Sequence, residues 1–187
     1  MSQPTITLPS VAAATGATVS GLSAGGFMTG NMFTIFSSTF SGAGIVAGNP
    51  WACRQVFTKE ECKDKDQTDV KYETLVDFAK SSAQKGLIDP VSNIKGAKIW
   101  LFSGTKDNLV SQATMNVVDN FYADLGADIK YVNTYAANHC FPTNYKKIKK
   151  THKCSHFGTP YINYCNFDGV GDMFGHILPG LKAHPLV

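Results

Sequence analysis

The chain has 187 residues, of which 43% are hydrophobic and 17% charged. This length and composition predict one folded domain and exclude disordered, collagen-like and coiled-coil proteins. The net charge of +3 is too small to indicate a nucleic-acid partner, and no apolar run approaches the roughly 18 residues that a membrane-spanning helix needs.

The N-terminal segment, residues 1–16, is polar and rich in alanine, and we interpret it as a short leader. Residues 17–187 then form one folded domain, which this length allows to be an incomplete one. The leader has no basic stretch ahead of its small residues, so it does not have the pattern of a complete signal peptide. If the protein is secreted, we expect its signal to have been removed or to lie outside this sequence.

Strand and helix patterns alternate along the chain after the leader. The run 97–102 is almost continuously apolar, which is typical of parallel strands covered on both faces. This alternation predicts an α/β fold with a parallel sheet. The predicted strands are 17–20, 43–47, 97–102 and 129–135, and the predicted helices are 24–36, 74–85, 111–125 and 168–178.

Four of the five cysteines bracket two short loops. Cys53 and Cys62 enclose a polar, charged loop, and Cys154 and Cys165 enclose a second one. Short loops of this kind indicate local disulfides formed in an oxidising compartment. Cys140 is left over, and we expect it to be a free thiol that is at least partly buried.

A metal site is the alternative interpretation of the second cysteine pair. Its ligands would be Cys154, Cys165, His152 and His156. The two cysteines do not have the close spacing of a zinc knuckle, so the sequence favours the disulfide. Neither interpretation is excluded by the sequence.

The segment from Gly21 to Gly25 matches the nucleophile-elbow pattern G-x-S-x-G, with Ser23 at its centre. A strand pattern precedes it and an apolar helix pattern follows, as this motif requires. The turn is tight, and we expect Gly21 and Gly25 to be needed because residues beside the serine have no room for side chains. Gly26 would let the helix approach the sheet. Ser23 is therefore the candidate nucleophile.

A serine nucleophile needs a base, and the base needs a carboxylate that orients it. Asp107 follows the strand that ends at residue 102, and His139 follows the strand that ends near residue 135. The chain order Ser, Asp, His is that of α/β-hydrolases. Because parallel strands end at one edge of a sheet, all three residues are expected to meet there. Asp124 and Asp128 flank a helix end and are weaker candidates for the acid.

At these residues the chain resembles the single-domain extracellular poly(3-hydroxybutyrate) depolymerases and their esterase relatives. The resemblance covers most of residues 17–180 in a consistent order and includes the segments around the three candidate residues. The matching segments are 19–28, 44–48, 100–107, 138–143 and 164–168.

The resemblance implies that Ser23 is the nucleophile, His139 the base and Asp107 the residue that orients the base. It also implies two disulfides at positions like Cys53–Cys62 and Cys154–Cys165. In one branch of the family the α/β-hydrolase sheet is circularly permuted, so that the elbow lies near the N-terminus, and this sequence starts in that way.

In that branch the remaining strands, the second donor of the oxyanion hole and a substrate-binding tryptophan come from a C-terminal portion. We expect this chain to lack that portion, to have an incomplete sheet, and to supply one oxyanion donor, the backbone N–H of Ala24. By itself it would then be a weak or inactive esterase, and it would self-associate through an open sheet edge.

The function expected from the sequence is an extracellular serine esterase that hydrolyses polyester bonds of the poly(3-hydroxybutyrate) type through an acyl-enzyme. The mechanism needs no metal and no cofactor, and we expect neither a nucleic-acid nor a membrane partner. Two alternatives stay open: a truncated hydrolase-like chain without activity, and an esterase for short soluble or plant-wall esters.

Overall fold

The computed structural model describes residues 16–63, 69–146, 151–178 and 180. Residues 1–15 of the predicted leader lie outside this part of the chain. Among the helices in these ranges, none has the length and apolar character needed to cross a membrane.

A four-stranded parallel sheet forms the centre of the fold, and its spatial order β1-β2-β3-β4 is the order of the chain. This confirms the predicted α/β class. Strand β2 begins three residues earlier than expected, because pairing with β1 extends it over residues that form no apolar run. The strands are β1 (Ala17–Leu22), β2 (Phe40–Val46), β3 (Lys98–Phe102) and β4 (Asp128–Val132).

Four helices connect and cover these strands at nearly the predicted positions, and a short helix at Cys53–Val56 was not predicted. Ser111 caps the helix that follows β3 by accepting a hydrogen bond from the Thr114 N–H at 3.2 Å. Gly126, at φ +81°, follows the end of the same helix. The α-helices are α1 (Ala24–Ile35), α2 (Cys53–Val56), α3 (Tyr72–Gln84), α4 (Gln112–Asp124) and α5 (Gly169–Ile177), and short 3₁₀ helices span Glu61–Lys63 and Val91–Ile94.

The sheet is covered on both faces. On one face α1 and α4 meet through the buried Tyr122 hydroxyl, which lies 3.0 Å from the Thr34 hydroxyl and donates to the Gly30 carbonyl. On the other face α5 lies so close that a Cβ on Gly44 would come within 2.2 Å of the Met173 sulfur. Covering on both faces explains why β3 is an almost uninterrupted apolar run.

A second, three-stranded parallel sheet follows β4, and the sequence analysis did not predict it. Its strands have only two or three residues, too few to show a period. They lie in the order β5-β7-β6 and are β5 (Phe141–Thr143), β6 (His152–Lys153) and β7 (Ile162–Tyr164).

Two disulfides hold the loops around this framework. Cys53–Cys62 joins α2 to the first 3₁₀ helix, and Cys154–Cys165 joins the residues that directly follow β6 and β7. Cys140 is a free, buried thiol. Each disulfide therefore fastens a local loop and not one half of the domain to the other.

Candidate active site

Ser23 lies at the turn between β1 and α1. Its backbone has φ 58° and ψ −120°, a region that non-glycine residues rarely occupy. Its N–H donates to the Val46 carbonyl at 2.9 Å, and its carbonyl accepts from the Phe27 N–H at 2.9 Å. These bonds to β2 and to α1 hold the strained turn, which is the geometry expected of a nucleophile elbow.

The glycines around Ser23 are needed for close approach, but not all for the reason expected from the sequence. A Cβ on Gly21 would lie 2.3 Å from the Gly25 carbonyl carbon, and one on Gly26 would lie 2.7 Å from the Val46 oxygen. A Cβ on Gly25 would meet nothing within 4 Å. The expectation that Gly25 itself lacks room for a side chain is therefore wrong: its backbone, not its missing side chain, fills the space beside Gly21.

Asp107 is held by the backbone of its own loop. Its Oδ1 atom accepts hydrogen bonds from the N–H groups of Leu109 and Val110, both at 2.9 Å. The residue is only 7% exposed. A buried carboxylate needs such donors, and here they leave its second oxygen, Oδ2, free to face His139.

His139 lies on the loop after β4, and its Nδ1 atom is 2.8 Å from Asp107 Oδ2. The residue is 3% exposed. In a neutral imidazole, a carboxylate partner favours the tautomer with the proton on Nδ1, in which Nε2 is the nitrogen that can accept a proton. The geometry provides an oriented imidazole.

The loops that carry Asp107 and His139 are in direct contact. The Thr105 N–H donates to the Tyr135 carbonyl, and the Lys106 N–H donates to the Ala137 carbonyl, each at 2.9 Å. A Cβ on Gly104 would lie 2.1 Å from the Ala137 oxygen. Glycine at position 104 therefore allows the close approach that places the carboxylate beside the imidazole.

A cavity of about 320 Å³ opens beside Ser23 and His139. Ser23 and His139 both line it, so the structure brings them to one site at the carboxyl edge of the sheet. Ala24 is the first residue of α1, and its N–H is one of those that a helix does not use internally. The lining residues are Leu22, Ser23, Ala24, Leu109, His139 and Tyr161.

The weaker candidates for the acid have other partners. Asp124 pairs with Lys80, and Asp128 pairs with Lys98. The carboxylate that contacts His139 is that of Asp107.

The metal interpretation of the second cysteine pair is wrong, because Cys154 and Cys165 are bonded to each other. The rings of His152 and His156 stack with their centroids 3.9 Å apart. Over the described ranges there is no group of three or more His, Cys, Asp or Glu side chains able to hold a metal ion.

The sequence analysis missed three residues of the site. Leu109 and Tyr161 line the cavity, and the fully buried Asn163 side chain donates to the carbonyls of Cys154 and His156 at 3.1 and 2.7 Å. Asn163 fastens the disulfide loop that carries Tyr161. An aromatic residue inside a cysteine-bracketed loop was the one signal available, and it is a weak one.

The chain is similar in sequence to two curated polyester-degrading enzymes. It is 37% identical over 172 residues to a poly(3-hydroxybutyrate) depolymerase of Delftia acidovorans, and the match covers 89% of this chain and 34% of the relative. It is 32% identical over 171 residues to a polyhydroxybutyrate depolymerase of Talaromyces funiculosus, covering 88% of this chain and 48% of the relative. No protein-family model matches the sequence.

Two solved structures share the fold. One is a PHB depolymerase from Penicillium funiculosum, with a TM-score of 0.81 and 29% identity over 90% of this chain and 53% of that one. The other is a serine-to-alanine variant of PHB depolymerase complexed with an R3HB trimer, with a TM-score of 0.80, 29% identity, and coverage of 89% and 52%. The chain thus spans about a third to a half of the length of these relatives, and over that span it is similar to polyhydroxybutyrate depolymerases in sequence and in fold.

Proposed function

We propose that this chain carries the catalytic triad of a serine esterase, with Ser23 as nucleophile, His139 as base and Asp107 as the residue that orients the base. The observation that carries the proposal is the hydrogen bond of 2.8 Å between Asp107 Oδ2 and His139 Nδ1 at the sheet edge where the Ser23 elbow lies. A strained serine and an oriented imidazole on one cavity are what nucleophilic acyl transfer needs.

In the proposed reaction Ser23 Oγ attacks the ester carbonyl carbon while its proton passes to His139 Nε2. The tetrahedral intermediate then collapses, the C–O bond to the alcohol breaks, and His139 returns the proton to the departing alcohol. Water, activated by the same imidazole, hydrolyses the acyl-enzyme and releases the acid.

The Ala24 N–H is the oxyanion donor that we assign within the described residues. It lies at the N-terminus of the 12-residue helix α1, where the helix dipole also favours negative charge. Loss of one donor of an oxyanion hole costs about 10²–10³ in rate. We therefore expect weak turnover by the chain alone if the second donor lies in a portion of the family fold that the chain does not span.

The proposed substrate class is a polyester of 3-hydroxybutyrate. The names of both curated relatives support it, and one solved relative is complexed with an R3HB trimer. An extracellular location is part of the proposal and is supported by the two disulfides, which persist in oxidising compartments.

Self-association is also part of the proposal. Over the described ranges β1 pairs with β2 alone, and an edge strand with unpaired backbone groups is a surface on which a second chain can pair. Light scattering on the purified chain tests this: we expect oligomers, and a monodisperse monomer would contradict it.

A fluorophosphonate probe tests the triad directly. We expect the purified chain to be labelled at Ser23 and labelling to be lost in Ser23→Ala and to be slowed strongly in His139→Ala. Ser20→Ala, which changes an exposed serine on β1, is the matched control and should label as the wild type does. Absence of labelling in a folded wild-type chain would favour the inactive, hydrolase-like alternative, and labelling without release of product from poly(3-hydroxybutyrate) would favour an esterase of short soluble esters.

A further inference from the structure

Tyr161 faces the proposed catalytic pair from a loop to which the triad assigns no role. Its side chain lines the cavity together with Ser23 and His139. The Tyr161 and His139 rings meet edge to face, with centroids 6.1 Å apart and planes at 84°. The tyrosine ring is therefore in contact distance of both the imidazole and the space that a substrate would fill.

The backbone holds this ring in place at an unusual conformation. Tyr161 has φ 60°, in the left-handed region that a bulky side chain rarely adopts. Its N–H donates to the Gly158 carbonyl at 3.0 Å, and its carbonyl accepts from the Phe141 N–H at 2.8 Å. Strain of this kind persists where the surroundings fix a residue firmly, and it clusters at ligand-binding positions.

Two further apolar side chains stand beside Tyr161 and the cavity. Phe157 is 53% exposed, and its ring lies 5.9 Å from the Tyr161 ring. Leu109 is 58% exposed and lines the cavity itself. Large apolar side chains left in solvent around a site mark a surface that binds apolar ligand groups.

The size of the cavity limits what can bind there. Its volume of about 320 Å³ is at the lower end of the range for small-molecule sites, about 300–1,000 Å³. A short acyl group fits a cavity of this size, and the Tyr161 ring lines it beside His139.

We propose that Tyr161 is a positioning and specificity-determining residue: its ring holds a short acyl group against Ser23, keeps the His139 imidazole in place and excludes longer acyl chains. This inference rests on the proposed function, because it assumes that an ester binds in the cavity. The Tyr161 ring, and not its hydroxyl, carries the effect, since its contacts with His139 and Phe157 are ring contacts.

A binding experiment in the Ser23→Ala background tests the inference without turnover. The probes are a 3-hydroxybutyrate trimer and ethyl octanoate, and their Kd values are measured by NMR titration for Ser23→Ala alone and combined with Tyr161→Ala. We expect the added change to weaken trimer binding about tenfold and to leave octanoate binding unchanged or tighter, because apolar pocket contacts discriminate by such factors. Tyr161→Phe should keep the wild-type ratio, and Tyr145→Ala, which changes an exposed tyrosine that does not line this cavity, is the matched control.

An unchanged ratio of the two Kd values in the Tyr161→Ala background, or no trimer binding to the Ser23→Ala chain, would overturn the inference. If Tyr161→Ala does not fold, Tyr161→Leu replaces it, with the same expected shift in the ratio. If the probe labels Ser23 of the wild-type chain but the ratio of the two Kd values does not change with Tyr161→Ala, the role of Tyr161 is rejected and the triad stands. If the ratio of the two Kd values changes with Tyr161→Ala but the probe never labels Ser23 of the wild-type chain, the triad is rejected and the role of Tyr161 in binding stands.

Discussion

Asp107 and His139 are brought together by two loops of very different construction. The loop after β3 is short, and the Asp107 carboxylate is oriented within it by the N–H groups two and three residues further along. The region after β4 positions His139 from a distance, since the Asn138 N–H donates to the Cys154 carbonyl and the Phe141 N–H donates to the Tyr161 carbonyl. The orientation of the acid is thus a local property, whereas that of the base depends on a second sheet and a disulfide.

The largest expected effect on turnover comes from changing the hydrogen bond between Asp107 and His139. In Asp107→Asn the amide oxygen keeps the hydrogen bonds from Leu109 and Val110, so the NH₂ group faces His139 Nδ1 and forces the wrong tautomer. Turnover of p-nitrophenyl butyrate should fall by about 10⁴, by analogy with serine proteases.

The fold of Asp107→Asn, followed by circular dichroism, should be retained, because the local hydrogen bonds survive. Near-normal turnover in a folded variant would mean that another acid orients His139.

Removing each disulfide in turn tests whether the position of His139 depends on Cys154–Cys165 more than on Cys53–Cys62. The variants Cys154→Ala/Cys165→Ala and Cys53→Ala/Cys62→Ala open loops of similar length, with sequence separations of 11 and 9. Each should lower the free energy of unfolding by about 2–3 kcal/mol on the chain-entropy estimate. Only the first pair should also lower turnover, by up to about 10²-fold, since misplacing a catalytic group by an ångström costs that much.

Denaturant unfolding and steady-state kinetics on both double variants measure these effects. Equal losses of turnover in the two double variants would show that the position of His139 does not depend on the Cys154–Cys165 loop more than on the Cys53–Cys62 loop.

Gly104→Ala should separate the two loops by steric overlap. The new Cβ would lie 2.1 Å from the Ala137 oxygen, which is backbone and has to move. We expect a loss of about 1–3 kcal/mol in the free energy of unfolding, as for other overpacked sites, together with reduced turnover. Gly175→Ala is the matched control, because its Cβ would meet nothing within 4 Å and alanine favours a helix; thermal melting of both variants decides the comparison.

The smallest effect is expected at Cys140, next to His139 in sequence. Burial, and secondarily the charge of Asp107, raises the pKa of this thiol to about 12. The thiol is therefore protonated at pH 8, and because the thiolate is the reactive form, iodoacetamide at that pH should not modify the folded chain. Mass spectrometry should find alkylation only after unfolding; rapid alkylation of the native protein would contradict the buried position.

The contrast between the loops also explains how much the sequence could reveal. The contact of Asp107 with His139, and the position of Ser23 and His139 on one cavity, could be predicted because each of the three residues follows a strand that shows in the hydrophobic pattern. The parallel class and the four longer helices could be predicted from the same hydrophobic pattern, whereas the four-residue helix α2 is too short to show a period. The second sheet was not, since two- and three-residue strands have no period, and Tyr161 was not, since its place in the cavity comes from hydrogen bonds across the loop and not from its neighbours in sequence.

The sheet order β1-β2-β3-β4 matches the order in which a ribosome releases the strands. Each strand emerges when its neighbour is already available, so the sheet can grow outward during synthesis without waiting for a distant segment. Ser23 is made first of the three site residues and His139 last, which means that the elbow exists before the base arrives. The time at which Ser23 becomes reactive toward a fluorophosphonate during a translation reaction would then report when the loop that carries His139 has folded.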